Sequence, residues 1–216
     1  MARAGPAIQS TISHNKNVAP AAELLQPVLA TLRLQLSPDR LALLARHFDL
    51  LLRWNQRLSL TAIRQPEEIA IKHFGESLFL ATHLAGESGA LADVGSGGGF
   101  PGFPVAVAVP GLRVTLVESN AKKAAFLKEI ARGVSNAEVY HGRFETLARE
   151  FDWICLRGVA PEPLLAQISK KTKKLAILTG AEEARKLSSH GFLSQESTFE
   201  LPWPTGRELW MFHVER

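Results

Sequence analysis

From Ser37 onward the chain alternates apolar and polar positions with a helical period. Leu41, Leu44, Phe48, Leu51 and Leu52 recur at three- and four-residue steps and define one core-facing stripe. Ser37-Pro38-Asp39 marks its start, since Ser caps free N–H groups, Pro suits the first turn and Asp the positive end of the dipole. A second helix is predicted from about Pro66 to Leu84, with Ile69, Ile71, Phe74, Leu78 and Leu80 apolar. Upstream, periodicity is weak and small or polar residues dominate to about Pro27. Residues 1–36 therefore read as a flexible N-terminal arm and 37–85 as a helical extension.

After a linker at Gly86–Gly89 the rhythm changes. Short apolar runs at 90–94, 113–117, 138–141, 153–156 and 175–178 read as strands, with helices expected around Pro104 and over 122–132, 145–149, 163–169 and 182–188. This alternation predicts an α/β domain over 86–216, a mostly parallel, doubly wound sheet of Rossmann-like type. The end differs: 196–201 and 208–214 flank Pro202, Pro204 and Gly206 and read as an antiparallel C-terminal hairpin.

Composition narrows the chemistry. The single cysteine, Cys155, cannot close an intrachain disulfide or supply most of a zinc site, so no metal is expected. No run approaches the roughly 18 apolar residues of a membrane span, and no secretory signal is legible, so the protein reads as cytoplasmic, with no membrane partner. A net charge of +4 fits a polyanionic partner and is equally compatible with a solvated basic surface. No obligate protein partner is evident in the sequence.

The most informative segment is Asp93-Val94-Gly95-Ser96-Gly97-Gly98-Gly99-Phe100-Pro101-Gly102, directly after the first predicted strand, with five glycines in eight residues. Glycines there allow a ligand close to the backbone. Gly97, Gly99 and Gly102 satisfy a bare dinucleotide pattern, and Glu118, ending the second strand, can accept both hydroxyls of a ribose. Pro101 and Pro104 oppose a dinucleotide, because each removes an N–H from the helix start that would hold a pyrophosphate. A ligand with a ribose and no phosphate loses little by this, and S-adenosyl-L-methionine is such a ligand.

The glycine loop with Phe100-Pro101-Gly102-x-Pro104, then Leu116-Val117-Glu118-Ser119 with Lys122-Lys123, then Arg143-x-Glu145, Phe151-Asp152 and Arg157 resembles the small-subunit ribosomal RNA guanine-N7 methyltransferases, the glucose-inhibited division protein B family. Upstream, Leu60-Thr61-Ala62-Ile63 and His73 with Ser77 are similar to that family's N-terminal motifs. The resemblance implies a class I methyltransferase fold and transfer of a methyl group from S-adenosyl-L-methionine to N7 of one guanine in 16S rRNA, free or within the small ribosomal subunit. It implies that Gly95 and Phe100 line the cofactor site, that Phe144 and Glu145 contact the adenine region and that Arg157 completes it; by the general logic of the fold, Gly97 belongs to the same cofactor site and Glu118 holds the ribose. The chain departs from the family's usual residues at Ser59, Glu76, Leu156, Gly158 and Thr179.

Guanine N7 presents a free lone pair and no proton to remove, so positioning alone can drive its methylation and no general base is expected. Carbon-directed methylation needs a thiolate, and Cys155 lies inside a predicted buried strand. RNA contacts are expected from Lys72, His73, Lys122 and Lys123, with Lys170, Lys171, Lys173 and Lys174 as a second basic cluster. Two other readings stay open at this level: a noncatalytic RNA-binding module on the same fold, and a nicotinamide-dependent oxidoreductase.

Overall fold

A computed structural model describes residues 20–215 of the chain. Seven strands form one sheet: β1 (Gly89–Val94), β2 (Leu112–Glu118), β3 (Ala137–His141), β4 (Trp153–Arg157), β5 (Lys174–Thr179), β6 (Leu193–Glu200) and β7 (Glu208–Val214), in the order β3-β2-β1-β4-β5-β7-β6. β1 to β5 run parallel and β7 enters antiparallel between β5 and β6. This is the expected doubly wound sheet with its closing hairpin. The order reverses at β1, whose carboxyl end lies between those of β2 and β4, which is where ligands bind in open α/β sheets.

Strand alternation sends side chains to two cores. Leu91, Trp153 and Cys155 face the layer that also holds Phe103, Phe126 and the N-terminal helices; Ala92, Val94, Ile154 and Leu156 face Phe144, Ile168 and Leu187. Crossover helices α5 (Gly102–Ala108), α6 (Ala121–Ala131), α7 (Leu165–Lys171) and α8 (Ala181–Ser188) cover the sheet.

Three helices build the N-terminal layer: α1 (Ala21–Thr31), α2 (Pro38–Asn55) and a longer helical run made of α3 (Pro66–Ile69), a π-helical segment (Ala70–Gly75) and α4 (Glu76–His83). α2 starts as expected, with Ser37 Oγ accepting the Arg40 N–H at 3.4 Å and Pro38 in the first turn. The arm expectation fails for α1. Ala21, Leu25, Val28 and Leu29 form a buried stripe against α2 and the π-helical segment. Pro27 lies on the exposed side of the helix and removes the N–H that would pair with the Glu23 carbonyl. Tertiary burial of that stripe outweighs the proline; residues 1–19 lie outside the described residues.

The helix expected over 145–149 is also corrected, to a single 3₁₀ turn at Phe144–Thr146. The Lys171 ammonium donates to the carbonyls of Phe144, Glu145 and Leu147 at 2.8, 3.2 and 2.6 Å. It occupies acceptors that a continuing α-helix would use.

Candidate active site

β1 ends at Val94, and the chain doubles back through the glycine loop. Gly97 has φ +52° and the most open surroundings of the loop's glycines: a Cβ there would meet nothing nearer than the Gly95 carbonyl oxygen at 3.7 Å. Gly95, at φ +77°, is needed for a different reason, because a Cβ would fall 2.5 Å from Val159 of the loop after β4. The two segments after β1 and β4 are therefore in direct contact.

Glu118, at the carboxyl end of β2, faces this turn. Its Oε2 accepts the Gly97 N–H at 3.0 Å and its Oε1 accepts the Asn120 N–H at 2.8 Å. Each oxygen retains lone-pair capacity for a further donor, such as a ribose hydroxyl. Most backbone donors around it are spent: Gly95 and Ser96 bond Val117, Gly99 and Phe100 bond Ser96, Phe103 bonds Gly99, and Gly102 bonds the Asp93 carboxylate at 3.0 Å. With Pro101 and Pro104 supplying none, the start of α5 has no free N–H for a pyrophosphate in this turn.

Asp93 is buried and its Oδ1 also faces the Cys155 thiol at 3.8 Å. Burial pushes its pKa up to about 6. Burial, with the Asp93 carboxylate beside it, pushes the Cys155 thiol well above its ordinary value, so this thiol behaves as an inert core group.

The loop is gripped from behind by α2. His47, 1% exposed, donates from Nε2 to the Gly98 carbonyl at 2.8 Å. Its ring stacks on Phe100 at 4.7 Å and meets Phe74 and Phe103 edge-on at 5.0 and 4.9 Å. Burial lowers the His47 pKa to about 3, so it is neutral near pH 7. Phe100 lies between His47 and His73, the latter ring 4.8 Å away, and is 5% exposed. Its ring thus forms the back of the glycine loop.

His73 does not sit where RNA could stack on it. It is buried, within 2.7 Å of Thr61 Oγ1, and burial followed by the charge of Arg157 lowers its pKa to about 3. Lys72 is half-buried and ion-paired to Glu68 one turn away, which reduces its value as a phosphate contact. Lys122 and Lys123 are positioned as expected on the first turn of α6, capped by Asn120 Oδ1, with Lys122 exposed. In the second cluster Lys171 is buried on the 144–147 carbonyls and Lys174 pairs with Glu87 at 3.4 Å, leaving Lys170 and Lys173 exposed.

Arg157 ends β4 and points into the helical layer. Its Nε donates to Glu76 Oε2 at 2.7 Å and its Nη2 donates to the Lys72 carbonyl. Burial pulls its pKa down, and the Glu76 carboxylate opposes that shift. Glu76 is 0% exposed and also holds Arg207, from the loop before β7, at 3.2 Å. The π-helical segment makes this possible: the Glu76 N–H reaches back to Ile71 and skips the Lys72 carbonyl that Arg157 takes. Phe144 and Glu145 lie next to Glu118 through the Gly142 N–H, which donates to the Glu118 carbonyl at 3.0 Å. The Phe144 ring is buried under the Lys171 ammonium at 4.7 Å, and Glu145 is exposed.

Beside this turn a cleft of about 440 Å³ opens at the carboxyl ends of β4 and β5, walled by Val159, Ile177, Thr179, Glu183, Thr205 and Arg207. Gly95, Gly97, Glu118 and the 144–145 turn are thus brought together, with the cleft adjacent across Val159. Arg157 backs the same region from the helical side.

Residues 40–195 match the GidB family, described as rRNA small subunit methyltransferase G. The chain belongs to this family. Relatives named ribosomal RNA small subunit methyltransferase G include one from Chromobacterium violaceum, 40% identical over 185 residues and 84% of each chain, and one from Xylella fastidiosa, 37% identical over 175 residues, 76% of this chain and 82% of that one. Among solved structures, a magnesium protoporphyrin IX methyltransferase from Synechocystis with bound S-adenosylmethionine superposes with a TM-score of 0.58 at 13% identity, covering 79% of this chain and 97% of that one. A ribosomal protein L11 methylase from Lactobacillus delbrueckii gives a TM-score of 0.56 at 11% identity, covering 67% of this chain and 79% of that one. These two share the fold, a Rossmann-like class I methyltransferase.

Three residues that the structure places at or behind this region escape a sequence reading. His47 occupies a core-facing position of α2 and gives no signal beyond its place in the apolar stripe. Arg207 lies in a Pro/Gly-rich loop. Glu183 opens α8, where acidic residues are ordinary first-turn complements to the helix dipole. Glu76 stands out in sequence only as a departure from the usual Asp, and it proves to be the buried hub of two arginines.

Proposed function

We propose that this chain binds S-adenosyl-L-methionine in the turn formed by Gly95, Gly97, Glu118 and the 144–145 segment, and methylates N7 of one guanine in small-subunit ribosomal RNA. The carrying observation is the pairing of an open Gly97 with a Glu118 carboxylate that keeps acceptor capacity, beside an α5 start whose donors are all used. That arrangement suits a ribose-bearing, phosphate-free ligand and disfavours a nicotinamide dinucleotide. When bound, S-adenosyl-L-methionine supplies a methyl on a sulfonium sulfur; the electron pair of the breaking S–C bond stays with sulfur and the positive charge passes to the purine.

The chain's residues act by placement. Glu118 anchors the ribose, the 144–145 turn flanks the adenine, and the cleft beyond Val159 receives the base, out of its stack. No side chain has to remove a proton, because N7 carries none. The membership in an rRNA methyltransferase family and the exposed Lys122, Lys170 and Lys173 support an RNA substrate.

Ligand-induced stabilisation separates the readings. S-adenosyl-L-methionine should raise the melting temperature, NAD should not, and Glu118→Ala should remove the response. With methyl-labelled cofactor, wild type should label small-subunit RNA. A chain stabilised by NAD alone would contradict the assignment, and cofactor binding without labelled RNA would favour the noncatalytic RNA-binding module.

A further inference from the structure

The cleft at the ends of β4 and β5 presents two charged side chains, and only one is committed to the protein. Arg207 Nη1 is held by the buried Glu76 carboxylate. Glu183, by contrast, makes no side-chain hydrogen bond or close ion pair among the described residues; its neighbour Glu182 takes Lys186 at 3.0 Å, and Glu183 acts on that ammonium only as a nearby charge. Thr205 lines the same cleft, and its Oγ1 is buried with no hydrogen-bond partner among the described residues. Buried polar groups are almost always partnered. A carboxylate with no hydrogen-bond partner among the described residues, in a cleft walled by Val159 and Ile177 and by the loop that carries Thr205, marks a site for a flat ligand carrying donors on its edge.

We propose that Glu183 selects guanine, accepting the N1–H and the 2-amino group of the target base; this rests on the guanine-N7 reading above. An ionised carboxylate only accepts, and of the four RNA bases only guanine offers two adjacent donors on its pairing edge. Adenine and cytosine place a ring-nitrogen acceptor beside their amino group, and uracil sets one N–H between two carbonyls. The bidentate, charge-assisted contact is therefore a guanine filter. It also orients the base. N7 lies across the purine from N1 and the amino group, and the sheet places the glycine loop, Val159 and Glu183 after β1, β4 and β5, which are adjacent in that order. A guanine held at Glu183 therefore turns N7 toward Val159 and Gly95. Methylation makes the purine cationic and its N1–H more acidic, so the contact strengthens as the reaction proceeds.

The test compares wild type with Glu183→Gln, Glu183→Ala and Glu182→Gln on small-subunit RNA carrying either guanine or inosine at the target position. Inosine keeps N7 and N1–H and lacks the 2-amino group. Both Glu183 variants should lower kcat/KM on guanine by about 10- to 100-fold, the range for a hydrogen bond to a charged group, with part of the loss in kcat. Their melting temperature and their Kd for S-adenosyl-L-methionine, read by calorimetry, should stay at wild-type values. Inosine should cost wild type about tenfold and cost Glu183→Ala nothing further, because the partner is already gone. Glu182→Gln should match wild type. Full activity of Glu183→Ala on guanine, or inosine and Glu183→Ala losses that multiply, would overturn the assignment while leaving the N7 reading intact. A wild type that binds cofactor and labels no guanine would overturn both.

Discussion

At the residue scale the glycine loop depends on buried groups that titrate in opposite senses. His47 and His73 have pKa values lowered by burial from 6.5 to about 3. The unfolded chain binds their protons first, so their contribution to stability is complete above about pH 6.5 and is lost as the pH falls toward 3. Asp93 is raised by burial from 3.8 to about 6, so it returns stability as the pH falls through 6. Between pH 6 and 4 the two histidines outweigh the one aspartate by about one proton, so stability falls by on the order of 1 kcal/mol per pH unit. His47→Gln keeps a donor for the Gly98 carbonyl and removes one titration; urea unfolding from pH 7 to 4 should show a profile flatter than wild type by about one proton. Parallel profiles would remove His47 from this account. The glycine loop and Glu118 were legible in the sequence because close backbone approach and a strand-ending carboxylate have few other uses. His47 was not, since a histidine on an apolar stripe looks like any core residue until its acceptor, 51 positions away, is known.

At the element scale the π-helical segment is the joint between the helical layer and the sheet. By letting Glu76 skip the Lys72 carbonyl, it frees an acceptor for Arg157 and aims a buried carboxylate at two guanidiniums. Breaking a buried pair strands a charge, so Glu76→Ala should cost about 3–5 kcal/mol in urea unfolding. Glu76→Gln, which can still accept from one arginine, should cost less. Equal stability of Glu76→Ala and wild type would show that the arginines find other partners. None of this was readable in advance, because hydrophobic periodicity does not distinguish a π-turn inside a helical run. The same blindness explains α1, where Pro27 conceals a buried stripe, and the 144–146 turn, whose shape is set by Lys171 from another helix. The strands and their alternation with helices were legible, because both faces of a covered parallel sheet demand continuous apolar runs.

At the scale of the whole molecule, the sheet holds three things side by side: the glycine loop after β1, the cleft beyond β4 and β5, and the lysines at the start of α6. If Lys122 and Lys123 meet single-stranded RNA phosphates, replacing both with Ala should reduce the slope of log Kd against log salt by about 1.4, at about 0.7 per phosphate. An unchanged slope in a filter-binding titration would place the RNA elsewhere. His73, expected among the RNA contacts, belongs to the core, whereas Lys72 stays half-exposed in a pair with Glu68. The central claim is methyl transfer to guanine N7, and the most direct measurement identifies the labelled nucleoside. Small-subunit RNA from cells lacking this activity would be incubated with the protein and methyl-labelled S-adenosyl-L-methionine, digested and separated. Label in 7-methylguanosine at a single site is the expected result; label in any other nucleoside, or none from a protein shown to bind the cofactor, would contradict the account.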